Sequence, residues 1–434
     1  KALETLNIFG LNADYINTFL ETIRREGVEY EEVQLPIRLM DKKEWEGLYV
    51  LRTPENFEFR RQITLELQES ILNKVRVDIR PRIVLAHGME LAEAEAEEGR
   101  VILEDKYLDL LNWDDIYLEI LNYKTTKGYS NLAIGKGVLQ DIVKKKTVYS
   151  LYAHKEQVTP RNFAELDKLK EIVLIVLKSY IDRFYNHTLQ QEESRQLTLE
   201  GLDSRHENLA FGRYVLLIPK SVEFEDEIEE IKKLLNQADE IYKKDRREIP
   251  TIHFDRHLYT PLVVYGKGKD FIKTIPPRLN EGETEFIKRL RDYVKINQKT
   301  FSDVEIFVLR NISRRGVKFF QTSGFYPDFI VWIREGDNQT IAFIDPKGIR
   351  MKGNFNDEKI ELHKQIKDIE KKLNNPKVRL ESFILSVSRY HDIKETFEDG
   401  KRKKEEFEEH HVLFMEDEDL IEKLFKKLLQ QPSA

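Results

Sequence analysis

Phe325-Tyr-Pro-Asp-Phe-Ile-Val-Trp-Ile333 is followed, after a short polar link, by Gln339-Thr-Ile-Ala-Phe-Ile-Asp-Pro-Lys-Gly348. The apolar, β-branched and aromatic runs within these segments predict two strands, Phe329–Ile333 and Thr340–Ile344. The link between them, residues 334–338, contains Gly, Asp and Asn, which tolerate turn geometry. The sequence therefore predicts a β-hairpin whose arms are apolar enough to lie in the middle of a sheet.

Each arm of this hairpin carries a carboxylate at one end: Asp328 opens the first arm and Asp345 closes the second. Because the start of one antiparallel strand lies beside the end of the other, the pairing brings Asp328, Asp345 and Lys347 to one edge of the sheet. Two carboxylates this close repel each other unless a counter-charge is present. The sequence therefore predicts a site for Mg²⁺ or Mn²⁺, with the carbonyl of Pro346 as a third oxygen ligand.

This acidic edge has two interpretations, a catalytic metal site and a purely structural hairpin end. A cation held there would polarise a phosphodiester, and Lys347 would orient or help deprotonate the attacking water. The alternative is a hairpin with capping aspartates and a surface lysine, since short acidic motifs recur by chance. The apolar strands on both arms favour the functional interpretation.

The composition indicates globular domains and excludes several protein classes. At 434 residues, with 40% hydrophobic and 34% charged residues, the chain is expected to form two or three domains. It has no cysteine, which excludes disulfides and thiolate metal sites and favours a cytoplasmic protein. The sequence contains no uninterrupted apolar run of about eighteen residues, so we expect no membrane span. The net charge of -7 argues against a uniformly basic nucleic-acid binder but not against a local basic groove.

Local patterns in the first 245 residues predict helices and short strands. The predicted elements are a strand over Thr5–Leu11, helices over Tyr15–Glu26, Glu55–Lys74 and residues 160–186, and strands over Val75–Leu85 and Phe211–Ile218. Residues 86–100, rich in Ala and Glu, predict an exposed helix or connector. Ala133-Ile-Gly-Lys-Gly137 lacks the spacing and the Ser/Thr of a P-loop, so we expect no ATP hydrolysis by this chain alone.

Helices and strands alternate around the hairpin, which predicts a mixed α/β fold. The predicted elements are helices over Glu281–Lys295, Glu358–Leu373 and Glu418–Leu429 and strands over Asp303–Leu309 and Val378–Val387. Upstream, His253 and His257 are four residues apart, but the extended segment around them disfavours a shared metal ion. We expect a structural or DNA-facing role for these two histidines.

The spacing of Pro327-Asp328 and Asp345-Pro-Lys347 resembles the motif of the PD-(D/E)xK nuclease superfamily. The order helix, strand, hairpin, helix, strand is similar to the α/β core of that superfamily. The resemblance implies a further acidic metal ligand from the first helix, for which Glu283 is the prediction and Glu285 the alternative. One departure is Pro346 at the middle position of the motif, because its ring rigidifies the strand end and affects how Lys347 is positioned.

Several segments resemble the C-terminal half of DEAD/DEAH-box restriction subunits, the Res-like proteins of type III systems: Leu6–Tyr15, His253–Leu262, Gly324–Trp332, Asp345–Gly348 and Asp357–His363. The resemblance implies the tail of a second RecA-like helicase lobe at residues 1–40. It further implies a mixed, mostly helical connector at 41–245 and a PD-(D/E)xK nuclease domain at 246–434. We expect the chain to be the C-terminal portion of a longer polypeptide with an ATP-driven helicase core upstream.

The function implied by this resemblance is a Mg²⁺- or Mn²⁺-dependent DNA endonuclease in restriction-modification defence. Double-stranded DNA would be the substrate and a methyltransferase or specificity subunit a partner, with ATP bound only by the upstream core. Basic residues near the hairpin predict phosphate contacts: Arg314, Arg315, Lys318, Lys359 and Lys364. Two alternatives remain open, namely a DNA-binding or partner-docking module without catalysis and a nuclease that acts on branched DNA.

Overall fold

A computed structural model describes most of the chain. The described residues are 29–52, 57–80, 99–221, 224–236, 240–312, 317, 326–349, 355, 357–394, 397 and 402–429. Some predicted features lie outside these ranges: the strand Thr5–Leu11, the helix Tyr15–Glu26, nearly all of residues 86–100, and Arg314, Arg315 and Lys318. The described part is a mixed α/β protein, which confirms the predicted fold class at this level.

Short strands precede one large sheet in the described chain. The strands are β1 (Tyr30–Pro36), β2 (Arg38–Leu39), β3 (Tyr49–Arg52), β4 (Ile63–Thr64), β5 (Arg76–Asp78), β6 (Arg100–Val101), β7 (Leu132–Ala133), β8 (Ser150–Tyr152), β9 (Thr198–Gly201), β10 (Arg213–Pro219), β11 (Thr251–Ile252), β12 (Tyr259–Thr260), β13 (Leu262–Val263), β14 (Lys273–Ile275), β15 (Glu305–Arg310), β16 (Phe329–Glu335), β17 (Asn338–Lys347), β18 (Val378–Ser386) and β19 (Val412–Phe414).

Helices of very different length connect these strands. The helices are α1 (Lys42–Trp45), α2 (Glu69–Leu72), α3 (Asp105–Leu108), α4 (Trp113–Thr126), α5 (Lys136–Lys144), α6 (Phe163–Arg195), α7 (Glu225–Asn236), α8 (Glu240–Lys243), α9 (Glu281–Ile296), α10 (Glu358–Leu373), α11 (Tyr390–Ile393), α12 (Lys404–Glu409) and α13 (Leu420–Leu429). Among the described residues, no helix is both long and apolar enough to cross a membrane.

The chain divides into two compact units. The second unit lies within residues 54–196, and the first is built from described residues before 54 and after 196. In the first unit, β1 pairs with β10 and β10 pairs with β14, so the three strands form an antiparallel sheet. This pairing crosses the predicted boundaries at residues 40 and 245. The segments on either side of those boundaries therefore share one compact unit.

The second unit is organised around α6, a helix of 33 residues against which α4 and α5 pack. Most of its central apolar run is buried, whereas Ile175 is 43% exposed; the buried residues are Ile172, Val173, Leu174, Val176 and Leu177. This confirms the strong, deeply placed helix predicted over residues 160–186, although α6 continues to Arg195. The surrounding elements cover most of this apolar surface, and Ile175 lies on the side that faces solvent.

The helix predicted over Glu55–Lys74 is wrong. Residues 57–62 are not helical, β4 follows them, and only the four-residue α2 forms. Strand β4 pairs with β7, and Tyr180 Oη accepts from Gln68 N at 2.8 Å and donates to Glu66 O at 2.5 Å. These partners take the backbone groups that a helix would use, so tertiary contacts outweigh the helical spacing of the apolar residues.

The first unit contains the predicted hairpin inside a five-stranded sheet of order β15-β16-β17-β18-β19. Strands β16 and β17 form the antiparallel hairpin, whereas β17, β18 and β19 run parallel. Gly336 in the turn has a φ of +57°, a left-handed conformation that glycine adopts without steric cost. The arms extend further than predicted, to Glu335 and Asn338. The hairpin and its central place in a sheet are therefore confirmed.

Helices α9 and α10 have the positions that the sequence predicted for them, with α9 ending one residue later. Asn280 caps α9, because its Oδ1 accepts from Glu283 N at 2.9 Å. Helix α9 contacts β16 through the rings of Phe286 and Phe329, whose centroids are 5.3 Å apart. Helix α10 packs against β18. The first turns of both helices thus lie near the edge where the hairpin carries its carboxylates.

Candidate active site

Asp328 and Asp345 lie opposite each other at the edge of the five-stranded sheet. Phe329 pairs with Ile344 in the β16–β17 register, so the next pair outward is Asp328 with Asp345. Paired residues of antiparallel strands project their side chains to the same face. Lys347, two residues after Asp345 on β17, follows on that face. The structure therefore brings together the acidic pair and the lysine that the sequence predicted.

Asp345 is buried and Asp328 is half-buried. Asp345 is 3% exposed, and its Oδ2 has no hydrogen-bond partner among the described residues. Burial raises the pKa of Asp328 well above its usual range, and the charge of Asp345 and a side-chain hydrogen bond to it raise this pKa further. Asp328 is therefore harder to ionise than an exposed aspartate, and a nearby positive charge would favour its ionised form. The hard oxygens of the two aspartates and the unpaired Oδ2 fit a divalent cation, while the Pro346 carbonyl stays a predicted ligand.

Glu283 stands in the first turn of α9, close enough to act electrostatically on the aspartates. Its Oε2 accepts from Asn280 N at 3.1 Å and its Oε1 from Asn280 Nδ2 at 2.6 Å. Burial raises the pKa of Glu283, and the charge of Asp345 adds to the increase, whereas Arg310 opposes it. The described residues contain no group of three or more His, Asp or Glu side chains spaced to hold one ion. Glu283 as a third ligand stays a prediction, and Glu285 is exposed to solvent.

Two lysines meet beside the acidic pair. Lys347 is exposed at the end of β17, and Lys359 is half-buried in the first turn of α10. Burial lowers the pKa of Lys359, and a hydrogen bond and the charge of Lys347 lower it further, whereas Asp345 raises it. Lys359, which the sequence indicated only as a phosphate contact, thus belongs to the site itself. Lys364, predicted in the same role, is exposed further along α10.

Arg310 is a site residue that the sequence analysis missed. It ends β15 next to Phe329 and is buried, with its Nη1 unpaired among the described residues. Its positive charge lowers the pKa of both Asp328 and Glu283 and so opposes the effect of their burial. The sequence did carry one signal for it, namely a charged residue at the end of an apolar strand. A buried arginine needs opposite charge nearby, so its position indicates carboxylates close to the strand end.

His257 has a structural role in this unit. Its Nδ1 lies 2.8 Å from Tyr259 O, and its Nε2 accepts from Arg310 N at 3.0 Å. Burial lowers the pKa of His257 to about 3, so the ring is neutral and both nitrogens are used within the fold. The segment between His253 and His257 is not helical, but it forms a turn at Asp255 and Arg256 rather than the predicted extended conformation.

Comparison with known proteins assigns no family to this chain. No family model matches it, and neither a curated protein nor a solved structure is significantly similar to it. The resemblance to restriction subunits therefore rests on the sequence segments themselves. The functional argument rests on the geometry of the acidic edge.

Proposed function

We propose that this chain is the nuclease-bearing part of a restriction-type helicase–nuclease and hydrolyses phosphodiester bonds of double-stranded DNA with Mg²⁺ or Mn²⁺. The observation that supports this most is the pairing of half-buried Asp328 with buried Asp345, whose Oδ2 is unpaired among the described residues. Lys347 and Lys359 adjoin the same pair. In this proposal the five-stranded sheet with α9 and α10 is the core of a PD-(D/E)xK nuclease domain.

Asp328 and Asp345 would hold the ion, with the Pro346 carbonyl and Glu283 as further ligands. Bound there, a divalent ion supplies Lewis-acid stabilisation of the charge that develops on the scissile phosphate. A cation bound there would favour the ionised form of Asp328, because nearby positive charge stabilises a carboxylate. Each Glu283 carboxylate oxygen accepts one hydrogen bond from Asn280, which leaves a lone pair on each oxygen for a cation.

The two lysines would divide proton transfer and phosphate contact between them. Lys359, whose pKa is lowered by burial and by Lys347, loses its proton more readily than an exposed lysine. It is therefore the better acceptor for the proton of the attacking water. Lys347, which is exposed at the strand end, would contact the phosphate.

The resemblance supplies the wider setting of the proposal. ATP bound by a helicase core outside this chain would drive movement along DNA, and a methyltransferase or specificity subunit would select the site. Arg314, Arg315, Lys318 and Lys364 would contact phosphates along the duplex. The biological role would be defence against foreign DNA in the cytoplasm.

Cleavage of supercoiled plasmid by the purified chain tests the proposal. We expect nicked and linear products with Mg²⁺ or Mn²⁺ and none with EDTA. Asp345→Asn should lower the nicking rate by more than about 100-fold, which exceeds the usual effect of changes outside the ligand set. Asp337→Asn is the matched control, because Asp337 lies in the hairpin turn and pairs with Lys377 at 2.8 Å.

Two outcomes would count against the proposal. Nicking that persists in EDTA, or that survives Asp345→Asn, would contradict a metal-dependent site at the acidic pair. A wild-type chain that binds duplex DNA but never nicks it, even with an ATP-driven helicase core supplied, would identify a DNA-binding module instead.

A further inference from the structure

Two buried asparagines hold the backbone next to Asp328. Asn208 is 0% exposed and Asn311 is 3% exposed, and Asn208 Nδ2 donates to Asn311 Oδ1 at 2.8 Å. Asn208 Oδ1 in turn accepts from Ile312 N at 2.8 Å. We call Asn208 and Asn311 together the asparagine clamp.

Asn311 connects the clamp to the acidic edge. Its Nδ2 donates to Pro327 O at 2.8 Å and to Val317 O at 2.6 Å, and its Oδ1 also accepts from Val317 N at 2.7 Å. Its backbone N–H donates to Asp328 O at 2.8 Å. The main chain at Pro327 and Asp328 is therefore held by both the side chain and the backbone of one buried residue.

The chemistry of the clamp requires an amide at position 311. The Asn311 side chain uses two N–H donors and two acceptor positions, which is what a primary amide offers. An aspartate of the same shape would turn both donors into acceptors and face two carbonyl oxygens. Buried groups that lose their partners cost free energy, so the clamp resists rearrangement.

We propose that Asn208 and Asn311 are positioning residues that fix Asp328 opposite Asp345 for cation binding. The inference rests on the proposed function, because it assumes that the acidic pair binds a divalent ion. Asn208 lies 103 residues before Asn311 in sequence, so a distant part of the same unit sets the geometry of the site. Partners that orient the carriers of metal ligands act on affinity without touching the ion.

Mn²⁺ binding, followed by electron paramagnetic resonance, tests the proposal in the full chain and in Asn311→Asp and Asn208→Asp. Asn131→Asp is the matched control, because Asn131 is a buried asparagine of the other unit whose Nδ2 donates to Arg61 O at 2.8 Å. We expect the Kd for Mn²⁺ to rise about 10- to 100-fold in both clamp variants and to stay unchanged in the control. A merely structural role would lower Tm in all three variants without separating their Kd values.

Hydrogen exchange of the metal-free protein tests the clamp without any ion. The Asn311 amide, which donates to Asp328 O, should exchange faster in Asn208→Asp and at the wild-type rate in Asn131→Asp. Wild-type Kd values in both clamp variants would overturn the inference. A wild-type chain that binds no Mn²⁺ would contradict the proposed function itself. In that case, if the Asn311 amide of Asn208→Asp also exchanged at the wild-type rate, the positioning role of the clamp would be overturned as well.

Discussion

The side chain of Lys359, in the first turn of α10, lies beside that of Lys347 at the end of β17, and the charge of Asp345 also acts on Lys359. Two ammonium groups this close repel each other, as two carboxylates do. The site therefore places a pair of like-charged acids next to a pair of like-charged bases. Asp345 offsets part of the repulsion between the lysines, because its charge raises the pKa of Lys359.

Replacing Lys347 by Met is expected to raise the pKa of Lys359. Lys347 contributes a hydrogen bond and a positive charge that both lower this pKa, and the substitution removes them while keeping most of the side-chain volume. The measurement is NMR titration of ¹³C-methylated lysines in the wild type and in Lys347→Met. An unchanged Lys359 titration would show that the two side chains do not interact in solution.

Replacing Lys359 by Met should slow plasmid nicking by about 10- to 10⁴-fold, the range expected for loss of a general base or an electrostatic partner. The measurement is the initial nicking rate with Mn²⁺ at a fixed pH. Lys372→Met is the control, because Lys372 is exposed near the end of the same helix. Equal rates in the two variants would place Lys359 outside the catalytic machinery.

Asp345→Asn should stabilise the metal-free fold while it abolishes cleavage. The substitution keeps the shape of a 3% exposed side chain and removes its repulsion with Asp328. We expect Tm of the metal-free protein to rise by a few degrees, since about 1 kcal/mol corresponds to ~2–4 °C in a unit of this size. Scanning calorimetry in EDTA is the measurement. A lower Tm would mean that Asp345 holds the fold together rather than a cation.

Arg310→Met should move the activity of the site to higher pH. The buried guanidinium lowers the pKa of Asp328 and Glu283, so its removal lets both carboxyls keep their protons to a higher pH. Since cleavage requires ionised carboxylates, the acidic limb of the pH–rate profile should shift upward. Arg310→Lys, which keeps the charge, should shift it less. Identical profiles for the wild type and Arg310→Met would show that the charge of Arg310 does not affect the ionisation of the site carboxylates.

Much of the carboxylate edge was predictable because strand pairing fixes it locally. Asp328 and Asp345 flank two apolar arms, and the register of β16 with β17 places them opposite each other. Strand pairing and helix capping likewise predicted the positions of Lys347 and of the first turns of α9 and α10. These features depend on periodicity, capping and short-range pairing, all of which can be recognised in the sequence.

The supporting residues could not be predicted because they depend on distant segments. Arg310 is buried near carboxylates from two other elements, and Asn208 bonds to Asn311 across 103 residues. The failed helix over Glu55–Lys74 has the same cause, since Tyr180 on α6 takes its backbone groups. Hydrogen bonds between remote segments leave no periodic signal in the chain.

A cluster of buried histidines predicts loss of stability in mild acid. His363 on α10 has its ring centroid 5.2 Å from those of His410 and of His411. Burial lowers the pKa of His363 to about 4 and of His411 to about 3, and the charges of nearby lysines lower both further. The ordinary pKa of histidine is 6.5, so between about pH 4 and pH 6.5 the unfolded chain binds more protons than the folded chain. Stability should therefore be constant above about pH 6.5 and fall as the pH drops below it.

His363→Gln isolates the contribution of one histidine to this loss. Unfolding by urea at pH 7.5, 6.0 and 5.0 gives the number of protons taken up on unfolding, which should fall by about one relative to the wild type. His391→Gln is the control, because the His391 side chain is 80% exposed and should leave that number unchanged. A wild-type pH slope in His363→Gln would mean that His363 is already solvated and protonated in the folded protein. In that case the packing of α10 against the segment that carries His410 and His411 would be looser than the ring distances indicate.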